Sequence, residues 1–230
     1  MTKEKKEPSK DFISFVQESG LIWGPEPEIY QGLAGFYTYG PLGKLLKNKV
    51  ENSVRKVFNS FGFREIEGPS ILPDIVWKAS GHLDTFSDQI ISTEDGNESY
   101  LADKLLEENN IQIKDHSDSA ILGLIKKHKI KSPTGKLLNL QIQRQSLMMK
   151  TQVGGKDSSL RPETATVTYL PFLRLNNYFR KKLPFGVFQI GKAFRNEISP
   201  RQSVLRGREF TQAEGQIFLD PKEKNSWEQF

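Results

Sequence analysis

The chain has 230 residues, 36% hydrophobic and 10% aromatic, which is enough apolar material for one large domain or two small ones and excludes wholesale disorder. It has no cysteine, which excludes disulfides and thiolate metal sites, and His82, His116 and His128 are too scattered to form a metal cluster. No apolar run is long enough to span a bilayer and MTKEKKEPSK has no apolar signal core, so a cytoplasmic protein without a membrane partner is expected. The net charge is only +5, yet residues 174 to 208 hold nine Lys or Arg against the single acid Glu197, a local +8 that suits a phosphate-bearing ligand.

In chain order, residues 1 to 10 read as a flexible Lys/Glu-rich arm. Asp11 can N-cap a short helix carrying Phe12, Phe15 and Val16 on one face and ending near Gly20. GPEPEIYQGLAGFYTYGPLG has the turn chemistry of a loop with a short hairpin. Apolar residues at 42, 45, 46, 50, 54, 57, 58 and 61 predict a helix over Leu42–Phe61, stopped by Gly62. A strand over Phe63–Leu72, crossed by Gly68-Pro69, is expected next.

Residues 88–158 differ in character. Eight acids against two lysines lie between Glu94 and Asp118, with a helix around Leu101–Asn109, and a basic amphipathic stretch follows at Leu122–Lys131. This reads as an inserted subdomain without chemistry of its own. It separates a first part, 11–87, from a second part, 159–230. In the second part a helix from near Thr164 to Tyr178 precedes two strand-like segments, Phe185–Glu197 and Arg206–Phe218, joined by a loop. The order predicts a mixed α/β domain of the α+β kind, an antiparallel sheet flanked by helices.

The strand pair carries the chemistry. With a period of two, Phe188, Ile190, Lys192 and Phe194 share one face, and Gly191, Ala193, Arg195 and Glu197 share the other. Arg206, Arg208, Phe210, Gln212 and Glu214 share one face of the returning strand if no bulge intervenes. Small residues beside an arginine and a carboxylate make an open floor from which long polar side chains can reach a ligand.

FRNEISPRQSVLRGREFTQAE resembles motif 2 of class II aminoacyl-tRNA synthetases, and its wording resembles the glycyl-tRNA synthetases. LRPETA at Leu160–Ala165, KLPFGVFQIGKAFRNEISPR at Lys182–Arg201, GFYTYGPLG at Gly35–Gly43 and ASGHLDTFSD at Ala79–Asp88 point the same way, in the family's order. The resemblance implies a class II synthetase-like sheet and an enzyme that activates glycine with ATP and Mg2+ and passes it to tRNA(Gly). It implies Arg195 as the catalytic arginine on the α-phosphate. Asn196, Glu197, Leu205, Arg206 and Phe210 would bind ATP with it, Glu197 taking the adenine amino group and Phe210 stacking on the ring. Glu163, Phe210, Thr211 and Glu214 would hold glycine, and the local +8, more than one ATP engages, points Arg201 and Arg208 to the tRNA acceptor end. It implies no metal site formed by the protein.

Plainer readings stand beside these. Glu197 can pair with Arg195 or Arg208, Glu163 can serve a helix's first turn, and Arg201 can brace the hairpin through Glu197 or Glu209. Leu42–Phe61 and its strand resemble motif 1, which in this class builds a homodimer interface, with either Pro69 or Pro73 as its proline. The sequence departs from its relatives at Leu101-Ala102-Asp103, where many have Arg-Ala-Asp, and at Thr166-Val167-Thr168-Tyr169, where Gln-Gly-Ile-Phe is usual. Motif 3 and the anticodon-binding domain are expected beyond Phe230, so the domain is read as incomplete and as inactive alone. The alternative is a non-catalytic synthetase-like accessory protein.

Overall fold

The computed structural model of the chain describes residues 10–198, 200 and 203–223. Two compact units are present, Met1–Val76 with Met149–Phe230, and Trp77–Met148. Composition places the insertion at 88–158. The hairpin Met149–Val153 and Lys156–Leu160 falls within the first unit, because Lys156–Leu160 pairs with Ile71–Pro73 there. Apart from Lys10, the arm expected over residues 1–10 lies outside the described residues.

In the first unit the long helix runs Pro41–Ser60, with Pro41 at its first position, where a missing N–H costs nothing. The chain leaves it through Gly62 at φ +79, a conformation that favours glycine. The antiparallel hairpin Phe185–Phe194 and Glu209–Phe218 runs in unbroken register from Phe185↔Phe218 to Phe194↔Glu209. Arg64–Glu65 pairs in parallel with its first strand, leaving Glu209–Phe218 at the edge of this three-stranded sheet.

Helix and sheet meet through aromatic rings. Phe58 stacks on the buried Phe188 with centroids 4.7 Å apart, and Phe63 tilts against Phe58 at 5.3 Å. Glycines make room for them. A Cβ on Gly186 would stand 2.8 Å from the Phe63 ring, and one on Gly215 would overlap Phe58. At the far end of the hairpin Phe172, Phe179, Phe185 and Phe218 form a second aromatic cluster.

Two expected elements are divided. The strand expected over Phe63–Leu72 is two, Arg64–Glu65 and Ile71–Pro73, which serve different sheets. Pro69 between them has no N–H to give a ladder. The helix expected from Thr164 to Tyr178 is likewise Ala165–Tyr169 and Phe172–Tyr178, parted at Pro171. The first helix, Lys10–Glu18, takes Asp11 into its first turn rather than as its cap.

In the second unit, Ser87–Ser92 is the middle strand between Ser99–Leu101 and Gln143–Ser146. Helices Ala102–Glu108 and Asp118–Lys127 contribute Leu105, Leu106, Ile121 and Ile125 to a core with Ile91 and Leu138. The Lys136 ammonium joins Asp95 and Glu98, each at 2.9 Å. Among the described residues no helix is long and apolar enough to cross a membrane.

Candidate active site

The unbroken register settles which side chains share a face. Gln189 stands opposite Glu214, Gly191 opposite Gln212 and Ala193 opposite Phe210, so these six line one surface. Small residues on the first strand leave this floor open, as its sequence implies.

Across the floor lies Arg161, only 2% exposed. Its Nε donates to the Lys192 carbonyl at 2.6 Å, and its Nη1 donates to the Gly68 and Pro69 carbonyls at 2.8 and 3.4 Å. Burial pushes its guanidinium below the ordinary range, and the charge of Glu67 opposes that. The segment after it is sewn to the hairpin from both sides. Phe194 N–H donates to the Arg161 carbonyl at 2.9 Å, and Arg195 Nε donates to the Pro162 carbonyl at 3.1 Å.

That stitching brings Glu163 and Glu214 to one end of the floor. Thr164 lies between them, its N–H donating to Gln212 Oε1 at 3.2 Å and its Oγ1 to Glu214 Oε2 at 2.9 Å. Glu163 Oε1 accepts from Thr166 Oγ1 at 2.7 Å and Thr166 N–H at 3.3 Å, so it does serve the start of helix Ala165–Tyr169. Tyr169 Oη donates to Gln216 Oε1 at 2.9 Å, and Gln216 Nε2 donates to Glu214 Oε1 at 3.1 Å. Burial first, then Glu214 and Glu163, push the Tyr169 hydroxyl above its usual range.

The arginines gather at the other end. Arg195 lies over the Phe210 ring at 5.2 Å. Arg206 makes a two-nitrogen pair with Glu197 Oε2, at 2.9 and 2.8 Å. The Glu197 carboxylate thus pairs with Arg206, and Arg208 Nε donates to the Glu197 backbone carbonyl at 2.9 Å. Arg208 also donates to the Ala34 carbonyl at 3.0 Å, and its own N–H binds the Gly35 carbonyl at 2.7 Å. Gly35, at φ +91, allows this close approach: a Cβ there would stand 2.8 Å from Arg208 Cγ. The GFYTYG block is thereby tied to the base of the loop.

Glu163, Arg195, Glu197, Arg206, Phe210 and Glu214 therefore belong to one surface. Thr211 does not present its side chain there. Strand alternation puts it on the opposite face with Ile190 and Ala213, where its buried Oγ1 has no hydrogen bond among the described residues. Asn196 follows the first strand, and Leu205 is 77% exposed in the short helical turn Ser203–Arg206. Arg201 lies outside the described residues.

Sequence reasoning passed over Arg161, Thr164, Tyr169 and Gln189. The RPETA block marks the place of the first two, but their partners lie 31 and 50 residues away in sequence, beyond any local signal. Among the described residues no cluster of His, Cys, Asp or Glu could hold a metal ion.

The family described as "tRNA synthetase class II core domain (G, H, P, S and T)" matches residues 149–230. The chain is 43% identical over 224 residues to the glycine–tRNA ligase of Methanococcus maripaludis, covering 95% of this chain and 39% of that protein. Against the glycine–tRNA ligase of Thermococcus sibiricus it is 46% identical over 215 residues, 91% of this chain and 37% of that protein. It thus spans about two fifths of the length of the curated relatives it matches. Among solved structures it resembles the RNA binding domain of threonyl-tRNA synthetase from Cryptosporidium parvum Iowa II, with TM-score 0.56 and 19% identity over 91% of this chain and 37% of that one. It also resembles Giardia lamblia prolyl-tRNA synthetase in complex with prolyl-adenylate, with TM-score 0.53 and 16% identity over 94% and 32% of the two chains. At these identities the structural likeness speaks for the fold alone.

Proposed function

We propose that this chain, which belongs with the glycine–tRNA ligases of the class II tRNA synthetases, forms the glycine- and adenylate-binding floor of an enzyme that charges tRNA(Gly) in the cytoplasm. The observation that carries this reading is the bipolar floor: two carboxylates at one end, three arginines and an aromatic ring at the other. A glycine zwitterion and a nucleotide fit that polarity in one orientation only. The ammonium meets Glu163 and Glu214, and the phosphates meet Arg195 and Arg206.

A glycine carboxylate oxygen attacks the α-phosphorus of ATP, which arrives as its Mg2+ complex. A new P–O bond forms, the bond to the β-phosphate bridge breaks, and pyrophosphate leaves. Negative charge grows on the non-bridging oxygens, where the Arg195 guanidinium contributes most because it is already oriented by the Pro162 carbonyl. Phe210 stacks on adenine, and Glu197, held by Arg206, accepts from the adenine amino group. The tRNA 3′-terminal hydroxyl then attacks the glycyl carbonyl and AMP leaves. Arg201 meets the acceptor-end phosphates. Arg208, engaged with Glu197 and Ala34 carbonyls, holds the base of that loop.

Glycine has no side chain to grip, so selectivity against alanine is steric exclusion. The non-catalytic alternative gains no support from this surface, because Arg195, Glu197 and Glu214 are all kept on it.

The long helix supports a homodimer. Leu42, Leu46, Val50 and Val57, spaced to share one face, are each more than half exposed, as are Phe12 and Phe15 of the first helix. A second copy of the chain is the occupant the motif 1 resemblance implies.

The test is calorimetric binding of glycyl-sulfamoyl-adenosine, a stable mimic of the mixed anhydride, to a protein of the relatives' full length that contains this chain. Binding at least about tenfold tighter than the alanyl compound is expected. Equal binding of both, or of neither, contradicts the proposal.

A further inference from the structure

We infer that Arg161 is a positioning residue, which fixes the catalytic arginine and the ammonium-binding carboxylate relative to each other, and that Gly191 is the gap it occupies. The inference rests on the roles given above to Arg195 and Glu163.

The geometry is unusual for a merely space-filling arginine. Among the described residues its side-chain hydrogen bonds all go to backbone carbonyls, three of them from two separate segments: Lys192 in the hairpin, and Gly68 and Pro69 in the crossing segment. A guanidinium is suited to this because its donors leave a rigid plane in fixed directions. Burying it is costly, since desolvation opposes its charge. A hydrophobic side chain of similar length would avoid that cost but could not bind three carbonyls. The cost is consistent with a requirement for position rather than for bulk packing.

What is positioned follows from its chain neighbours. The Arg161 carbonyl accepts from Phe194 N–H, the Pro162 carbonyl accepts from Arg195 Nε, and Glu163 comes next. Three consecutive residues thus carry the brace, the acceptor that orients Arg195, and the carboxylate. A shift of the 161–163 segment against the hairpin moves Arg195 and Glu163 together.

Gly191 completes the device. A Cβ there would overlap Arg161 Nη2 and stand 3.0 Å from Gln189 Nε2. Gln189 is fully buried, its Oε1 accepts from Gly68 N–H at 3.2 Å, and among the described residues its Nε2 has no hydrogen-bond partner. So the same crossing segment that binds Arg161 is also tied to Gln189, and the space between the two side chains is kept by the absent methyl of Gly191. The glycine is required here by a close approach, not by its backbone angle.

The test uses 15N-arginine NMR on the 230-residue chain, reading solvent exchange of the Arg195 Nε–H, which is assigned by its loss in Arg195→Lys. In the wild type this proton should be protected, because it is hydrogen bonded to the Pro162 carbonyl. In Arg161→Lys, and independently in Gly191→Ala, its exchange should quicken at least about tenfold while the far-ultraviolet circular dichroism is kept. A lysine keeps the charge but cannot bridge the separate carbonyls. Arg195 Nε–H protection unchanged in either folded variant overturns the inference, and so does an unprotected proton in the wild type.

A second readout uses the full-length enzyme. Arg161→Lys should slow glycine-dependent ATP–pyrophosphate exchange at least about tenfold in the wild-type background and less than about twofold in an Arg195→Ala background. Equal slowing in both backgrounds marks Arg161 as acting independently of Arg195 and overturns the inference. If the wild type shows no glycine-dependent exchange, the functional reading fails, and the NMR result still decides the positioning role.

Discussion

Arg195 and Glu214 lie on the same surface but, in the proposed reaction, answer to different stages. The charge that Arg195 would meet grows only as the α-phosphorus is attacked, whereas the ammonium that Glu214 would meet exists before any bond changes. In the full-length enzyme Arg195→Ala should lower kcat for pyrophosphate exchange by roughly 10²–10³, the usual loss for one transition-state donor. Glu214→Ala should chiefly raise the glycine KM, by roughly 10- to 100-fold, as expected for a charged hydrogen bond. Steady-state kinetics at varied glycine separates the two, and an unchanged glycine KM in Glu214→Ala contradicts the assignment. These two residues were legible in the sequence because the motif 2 resemblance named them and strand alternation put Phe210 and Glu214 on one face, but which faces of the two strands match is given only by the register. Thr211 shows the same rule enforced: its odd position among even-numbered neighbours turns its side chain away. Arg161 was not legible, because nothing local to RPETA says that its guanidinium ends beneath Gly191.

At the scale of elements, the sheet depends on Phe188, fully buried and stacked on Phe58. Phe188→Ala should cost about 3–5 kcal/mol in urea unfolding, the range for a buried phenylalanine. Gly215→Ala, which adds a methyl into the Phe58 ring, should cost about 1–3 kcal/mol by overpacking. No loss in Gly215→Ala would mean that the helix does not press on the sheet there. The long helix was legible from its 3.6-residue period, but the same period could not say that six of its eight apolar residues stay exposed. Val57 and Phe58 are adjacent in sequence, yet only Phe58 meets the sheet while Val57 is 57% exposed. That uncovered row gives a further expectation. On the proposed homodimer, the full-length protein should sediment as a dimer and Val50→Asp as a monomer of unchanged helix content, and a persisting dimer in Val50→Asp contradicts a role for this face. Pro69 and Pro171 account for the elements the sequence drew too long, since each interrupts backbone bonding that apolar periodicity does not sense.

At the scale of the whole molecule, the acidic character of the insertion was visible but its limits were not, because a change in composition need not coincide with a change in strand partners. Its acids have a structural use. Glu98 accepts from Tyr100 and Thr134 and pairs with Lys136, and these interactions, the Tyr100 bond foremost, hold its carboxyl down to about 2. A depressed carboxyl contributes stability that is fully present above its unfolded value near 4.5 and is lost as pH falls toward 2. The unit Trp77–Met148 should therefore weaken as pH falls through that window, and Glu98→Gln should flatten the dependence when unfolding is followed by amide exchange in that unit. An identical pH profile in Glu98→Gln would contradict it.

The central claim, that the hairpin floor activates glycine, is tested most directly by ATP–pyrophosphate exchange with each of the twenty amino acids in turn, using a protein of the relatives' full length. Glycine should drive the exchange, with alanine and serine slower by at least about 100-fold, as expected of a pocket that excludes by size. Faster exchange with any other amino acid, or none with glycine, would contradict the account.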